Sequence, residues 1–138
     1  MSNAITEKLI AAWNSTDINR IGDLYSADTR VQNPMAPDVL KGVDALKQFE
    51  GAMFSAFSDV KWKLVSAVQS GDAIAVEFQV LAKNTAPLQT PKGPIPATNR
   101  TVDVRGLSMM KLDAQGRICE ERRYFDTAKM FVQLGLAA

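Results

Sequence analysis

Apolar residues recur at helical spacing in three stretches of the first 57 residues. The first stretch follows polar residues, stops at residues 14–15 and predicts an amphipathic helix. A second helix is predicted behind a cap at Thr16 or Asp17, ending at residues 26–28, and a third opens at Gly42. Their apolar faces carry, in turn, Ile5, Leu9, Ile10 and Trp13; Ile18, Ile21, Leu24 and Tyr25; and Leu46, Phe49, Met53 and Phe57, with Glu50 on the same side as the last set.

Alternation with a period of two then takes over from helical spacing. Residues 60–68 and 73–81 predict a hairpin about the turn at 70–72, and residues 105–112 and 117–125 predict a second hairpin. Asp126 or Thr127 caps a closing helix that stops at Gly135. Helices followed by mostly antiparallel strands predict one α+β domain over residues 1–138, in which a curved sheet wraps helices and leaves a cavity.

Residues 83–99 interrupt this order with four prolines and one glycine. Proline at this density is incompatible with a helix or a central strand, so the segment is predicted to be a long surface loop. Loops of this length are often functional lids, and a rigid ornament or a subunit contact are the alternatives.

Composition narrows the classes of function. The 16 basic and 15 acidic residues leave a net charge of +1 and form no basic stripe, so a nucleic-acid partner is not expected. The N-terminal residues resemble neither a signal peptide nor a membrane span, and we expect no membrane association and a cytoplasmic location.

The chain has one cysteine, Cys119, and no histidine. An internal disulfide and histidine-based nucleophile pairs, general bases and zinc or iron sites are therefore ruled out within one subunit. We expect no cofactor and no tightly bound metal, and any proton transfer rests on Asp, Glu, Lys, Tyr or water.

Several short segments together resemble the SnoaL-like polyketide cyclases. The most specific is the ending, where Gln-Gly-Arg-Ile at 115–118, Arg-Arg-Tyr-Phe-Asp at 122–126 and Gln-Leu-Gly at 133–135 match the family pattern. Residues 14–17, Asn33-Pro34 and the helix exit at 56–59 also match, and the likeness runs from about 7 to 136. The resemblance implies a cone of the NTF2-like (cystatin-like) type, related to ketosteroid isomerase and limonene epoxide hydrolase, with a hydrophobic ligand and a homodimer through the sheet.

The chain departs from the families at their chemical positions. Asn84 stands where many relatives have histidine, Arg123 where the cyclases carry an acid, and Ser108 where they carry a pocket histidine. The general base of ketosteroid isomerase aligns with Asn33. The water-activating set of limonene epoxide hydrolase aligns with Phe78, Val80 and Arg123.

If position 123 faces the cavity as in the cyclases, strand alternation turns Cys119 and Glu121 inward with it. The same alternation predicts an apolar pocket with few polar groups. Its predicted walls are Trp13, Met53, Phe54 and Phe57 from the helices and Val76, Phe78, Val80, Ser108 and Met110 from the strands. Core packing is the alternative for the helical residues.

Arg123, Glu121, Asn33 and Ser108 are the candidate catalytic residues. Arg123 would recognise a polarised ligand oxygen, Asn33 and Ser108 would be neutral donors, and Glu121 would be the base. An ion pair that only neutralises Glu121 and Arg123 is the alternative. Asp126 is expected to cap the last helix, and Cys119 to be a small buried hydrophobe.

Two classes of function remain open. One is a metal-free, cofactor-free cyclase- or isomerase-type enzyme that moves a proton on a hydrophobic carbonyl compound. The other is a non-catalytic ligand-binding or oligomerisation domain. A homodimer is expected because the outer face of the sheet is predicted to show apolar residues, namely Trp62, Leu64, Leu81, Leu107 and Met109 or their alternating neighbours.

Overall fold

The computed structural model describes residues 4–136 and confirms the predicted α+β class. The helices are α1 (Ala4–Ser15), α2 (Ile18–Gly22), α3 (Val43–Ala56) and α4 (Thr127–Gln133). The strands are β1 (Tyr25–Gln32), β2 (Leu40–Lys41), β3 (Phe57–Ser70), β4 (Ala73–Asn84), β5 (Leu88–Thr90), β6 (Gly93–Ile95), β7 (Thr101–Leu112) and β8 (Ile118–Phe125). Among these residues, no helix has the length and apolar character needed to span a membrane.

Six strands form one sheet in the order β2-β1-β8-β7-β4-β3. The two predicted hairpins are present as β3–β4 and β7–β8, and β4 pairs with β7 between them, all antiparallel. Only the β1–β8 pair is parallel among the strands described. This pairing brings the end of β1, next to Asn33, beside the end of β8, where Arg123 lies.

The second helix is shorter than predicted, and the prediction that Leu24 and Tyr25 extend it was wrong. Asp17 caps α2 by accepting hydrogen bonds from the backbone N–H groups of Asn19 and Arg20. The helix ends at Gly22, a residue of low helix propensity. Tyr25 begins β1 instead, because its ring is buried and its backbone pairs with Ile118.

Two irregularities in β3 change which face its side chains occupy. The pairing of β3 with β4 shifts between Ser58 and Lys61 and again between Leu64 and Ser66. A β-bulge of this kind reverses the alternation beyond it. Trp62 and Leu64 pack against the core, which corrects their predicted place on the outer face, while Val68 is 68% exposed.

The proline-rich segment 83–99 was predicted to be a long surface loop, and it contains the small hairpin β5–β6. Leu88 of β5 is fully buried against α3 and the following strands. Asn84 holds the segment's base: its Nδ2 donates to the carbonyls of Ala56 and Ala86, and its Oδ1 accepts from Thr98. Asn84 thus connects the start and the end of this segment.

Two apolar clusters make up the core. The first lies between α1, α2 and the sheet and includes Leu9, Trp13 and Ile74, while the second joins α4, β5 and the ends of β4 and β7 around Leu88 and Met130. Val80 packs against both clusters. The cavity described below lies between them, under α3.

Candidate functional site

An apolar cavity of about 80 Å³ lies between α3 and the concave face of the sheet. Among the described residues, its polar lining consists of Asn33, Glu50 and Arg123. The rest of the lining is apolar and rich in aromatic rings: Phe49, Met53, Phe54, Phe57, Val60, Trp62, Phe78, Val80, Ala82, Val102, Val104, Phe125 and Met130. A concave, mostly apolar space with a few convergent polar groups is the usual form of a small-molecule site.

The wall at Phe78 depends on a glycine in the neighbouring strand. Gly106 of β7 pairs with Phe78 of β4. A Cβ atom on Gly106 would lie 2.4 Å from Phe78 Cζ and 2.8 Å from the backbone oxygen of Tyr124. Glycine therefore leaves the space that the Phe78 ring fills, with its centroid 5.1 Å from that of Trp62.

Arg123 is 5% exposed, and its guanidinium is held between two carboxylates. Nη1 donates to Glu50 Oε1 at 3.1 Å, and Nε donates to Glu121 Oε2 at 3.1 Å. Nη2 lies 3.0 Å from Glu121 Oε2, close enough for charge pairing, although the N–H is not aligned for a hydrogen bond. The Trp13 ring lies 4.8 Å from Cζ and gives a cation–π contact.

Glu121 is 1% exposed and collects donors from three strands. Tyr25 Oη donates to its Oε1, and Ser108 Oγ donates to its Oε2 at 2.5 Å, alongside Arg123. Glu121 is therefore the centre of a hydrogen-bonded network behind the cavity and does not line it.

Glu50 differs from Glu121 because it lines the cavity. Its Oε1 pairs with Arg123, and no residue of the described chain donates a hydrogen bond to its Oε2. Burial raises the pKa of Glu50, Arg123 opposes the shift, and the nearby Glu121 carboxylate adds to it. Glu50 is therefore an acid that holds its proton more readily than a solvated glutamate.

The charges of Arg123 and Tyr25 are fixed by the same surroundings. Burial alone would lower the pKa of Arg123, but the Glu121 and Glu50 carboxylates raise it well above its ordinary value. Burial and the Glu121 carboxylate raise the pKa of Tyr25. Arg123 thus stays cationic and Tyr25 stays a neutral hydrogen-bond donor.

Asn33 follows β1 and bends the chain at Pro34. Its Oδ1 accepts a hydrogen bond from the backbone N–H of Met35 at 2.9 Å, which fixes the amide's orientation. No described residue accepts a hydrogen bond from its Nδ2. Because Asn33 lines the cavity, this amide N–H is available to a ligand oxygen there.

The predicted site residues divide into two groups. Those that line the cavity are Asn33, Arg123, Met53, Phe54, Phe57, Phe78 and Val80. Those that lie buried outside its lining are Trp13, Val76, Ser108, Met110 and Glu121. Asp126 caps α4 by accepting a hydrogen bond from the Lys129 backbone N–H, as predicted.

The inward position predicted for Cys119 was wrong. β8 shifts register against β7, so that Leu112 pairs with Ile118 and Cys119 falls in the irregularity. Ile118 is buried in its place, and Cys119 is only partly buried, with its Sγ 3.4 Å from the Lys111 carbonyl.

Sequence reasoning missed Glu50 and Tyr25 as parts of the site. Glu50 was placed on the inner face of α3, and a charged residue on an apolar face is a signal that it has a partner. Tyr25 had been assigned to a helix, which hid its contact with Glu121. Within residues 4–136, no group of three cysteine or acidic side chains is arranged to hold a metal ion.

Comparison with known proteins agrees with this geometry. The sequence profile of the SnoaL-like domain matches residues 6–121. No curated protein sequence matches the chain.

Three solved structures illustrate the likeness in fold. A hypothetical protein of ketosteroid isomerase-like fold from Catenulispora acidiphila, in complex with trimethylamine, is 16% identical, with a TM-score of 0.82 over 99% of this chain and 95% of that one. A candidate SnoaL-like polyketide cyclase from a Jannaschia species is 15% identical, with a TM-score of 0.83 over 97% and 91%. IdmH, a candidate polyketide cyclase from Streptomyces antibioticus, is 22% identical, with a TM-score of 0.77 over 95% and 96%. At these identities the likeness establishes the fold and confirms the predicted NTF2-like cone.

Proposed function

Because the chain belongs to the SnoaL-like domain family, we propose that it binds a hydrophobic carbonyl compound in the cavity and transfers a proton on it, as a cyclase- or isomerase-type enzyme. The observation that carries the proposal is the placement of Glu50, whose Oε2 is unpaired on an apolar cavity. A carboxyl group with a raised pKa is suited to exchange protons near neutral pH. The trimethylamine complex of the Catenulispora protein supports small-molecule binding within this fold.

Three polar residues divide the work in the proposed step. Glu50 Oε2 takes the proton from the carbon beside the carbonyl, and the C–H electron pair forms the carbon–carbon double bond of an enolate. The negative charge moves to the oxygen, where Asn33 Nδ2 donates a hydrogen bond. In an isomerase Glu50 returns the proton to another carbon. In a cyclase the enolate carbon attacks a second carbonyl, the π electron pair of that carbonyl moves to its oxygen, and Glu50 returns the proton to this oxygen.

Arg123 acts in this proposal as a positioning residue. Its Nη1 holds Glu50 Oε1, and its charge keeps the ionised form of Glu50 accessible inside an apolar site. Glu121, with Ser108 and Tyr25, in turn holds Arg123 in place. No step requires a cofactor.

The test is deuterium exchange at the carbon atoms next to the carbonyl of butanone, followed by proton NMR in deuterated water. Butanone is chosen because it is uncharged and small. We expect the wild-type protein to accelerate exchange with saturation in butanone. The control is the double variant Asn33→Leu/Glu50→Gln. If the wild-type protein exchanges the protons of butanone no faster than this variant, an enzymatic role is contradicted.

A non-catalytic oligomerisation domain is the second candidate, and the outer face of the sheet is the surface through which such a domain would assemble. Leu107 and Tyr124 pair across β7 and β8 and are 40% and 52% exposed, and Met109 lies on the same face. Val68 is opposite Ala75, which pairs with Met109, so these side chains share one face of the sheet. Glu77, which pairs with Leu107, and Arg122, which pairs with Met109, add charges to this face. Such a surface is typical of a subunit contact.

We therefore expect a homodimer formed through this outer face, whether or not the protein is an enzyme. Val68→Arg should shift the mass measured by light scattering from dimer to monomer, because it places a charge in the contact. Val132→Arg on α4 is the control, since Val132 is 60% exposed away from the sheet. A wild-type protein that is monomeric at micromolar concentration would refute the prediction.

A further inference from the structure

The buried cluster beside the cavity contains more negative than positive charge. Glu50 and Glu121 share the single guanidinium of Arg123, at contacts of 3.0 to 3.1 Å. Tyr25 and Ser108 complete the cluster as neutral donors. With both acids ionised, one negative charge is unbalanced, and it lies on the Glu50 side, where the cavity is.

The positive charge of Arg123 is already shared between two carboxylates. Nε and Nη1 already donate to carboxylates, and Nη2 is buried against Glu121 Oε2. One face of the guanidinium is covered by the Trp13 ring. A second anion would therefore compete with Glu50 for the same cation instead of meeting a free one.

The rest of the cavity lining offers no positive charge. Among residues 4–136, Glu50 and Arg123 are its only charged members, and Asn33 contributes a neutral amide. The other lining side chains are apolar. An anion that loses its water in such surroundings, beside a carboxylate, pays desolvation and repulsion together.

The cavity is also small. Its 80 Å³ is about half the size of an engineered apolar cavity that holds benzene, so without rearrangement it admits only a compact group. The group that enters must place a hydrogen-bond acceptor near Asn33 Nδ2. A ketone end of a molecule meets both conditions.

We infer that this pocket takes the uncharged carbonyl end of a compact ligand and excludes the corresponding carboxylate, and that Glu50 is the residue that imposes this choice. The inference rests on the proposed function in taking the same cavity as the ligand site, but it concerns binding and needs no turnover.

The test compares three probes of equal heavy-atom number at neutral pH: butanone, propionate and sec-butylammonium. Binding is measured by NMR shift changes of the methyl groups that line the cavity. We expect propionate to bind at least about tenfold more weakly than butanone, because its charge meets Glu50. Sec-butylammonium should bind more tightly than propionate, because the Glu50 carboxylate that repels propionate attracts its positive charge.

Glu50→Gln separates the charge of Glu50 from its shape. Gln keeps an oxygen that can accept from Arg123 Nη1, while Glu121 still neutralises the guanidinium. We expect the affinity for propionate to rise by at least about tenfold and that for butanone to change little. Glu120→Gln is the control, because Glu120 is an exposed acid on β8 and should leave all three affinities unchanged.

Four results would overturn the inference: propionate binding the wild type as tightly as butanone, sec-butylammonium binding no more tightly than propionate, butanone failing to bind, or Glu50→Gln failing to admit propionate. The inference and the proposed function fail separately. If the protein binds butanone selectively but does not catalyse deuterium exchange, only the proposed proton transfer is refuted. If it catalyses exchange but binds butanone and propionate equally well, only the charge selection is refuted.

Discussion

Replacing Glu50 with Gln is expected to slow α-proton exchange on bound butanone by about 10²- to 10⁴-fold, the usual contribution of a general acid–base group. Gln cannot take up a proton, but it keeps the size of Glu50 and an acceptor for Arg123. The loss should therefore appear in kcat while KM changes little. Glu120→Gln, at an exposed position, should match the wild type.

The pH dependence of the same reaction follows from the raised pKa of Glu50. The ionised form is the base, so the rate should rise with pH through a midpoint above the ordinary glutamate value. Arg123→Met should move that midpoint higher, because the guanidinium that favours the ionised form is lost. A Glu50→Gln variant as fast as the wild type would exclude Glu50 as the base.

Glu121→Leu is expected to lower the free energy of unfolding by about 3 to 5 kcal/mol, because it leaves Arg123 as a partly paired charge in the interior. The same change removes the acceptor of Tyr25 Oη and Ser108 Oγ, which then remain buried without partners. Urea denaturation measures the loss.

The double variant Arg123→Met with Glu121→Leu should unfold less easily than Glu121→Leu alone. It removes both charges while keeping side-chain bulk, and Glu50 can respond by retaining its proton. Glu120→Leu is the matched control for losing an acid from β8. A Glu121→Leu variant within about 1 kcal/mol of the wild type would show that the buried network contributes little to stability.

The double variant also separates the two interpretations of Arg123. If Arg123 positions Glu50, the variant should fold and lose proton exchange. If Arg123 and Glu121 only neutralise each other, it should fold and bind or convert butanone as the wild type does.

Local signals in the sequence were sufficient for most elements of the fold. Asp17 and Asp126 have the side-chain chemistry of helix caps, and both cap helices in the structure. Alternation placed Phe78, Ser108 and Met110 on the concave face because β4 and the middle of β7 pair without a shift.

Local signals failed where the chain departs from regular spacing. The bulge between Leu64 and Ser66 and the shift at Leu112 reverse the faces of Trp62 and Cys119 relative to simple alternation. Nothing in the residue types at these positions marks a bulge. The hairpin at 88–95 was missed because prolines at β-strand edges look the same in sequence as prolines in a loop.

Only part of the site could be predicted from the sequence, because its residues come from two distant segments of the chain. Glu121 and Arg123 are two residues apart, and alternation placed them together. Glu50 lies 73 residues from Arg123, and only the packing of α3 against the sheet, chiefly on β1, brings them into contact. Pairing of this kind depends on tertiary structure and has no local pattern.

Measuring the pKa of Glu50 is the most direct test of the central claim that this residue is the acid–base group of the cavity. Carbon NMR of protein labelled at the glutamate carboxyl carbons, assigned with the Glu50→Gln variant, gives the titration midpoint of Glu50 itself. The structure predicts a midpoint above the ordinary glutamate value, and a higher one still in Arg123→Met. A midpoint at or below the ordinary value, unchanged by Arg123→Met, would contradict the account.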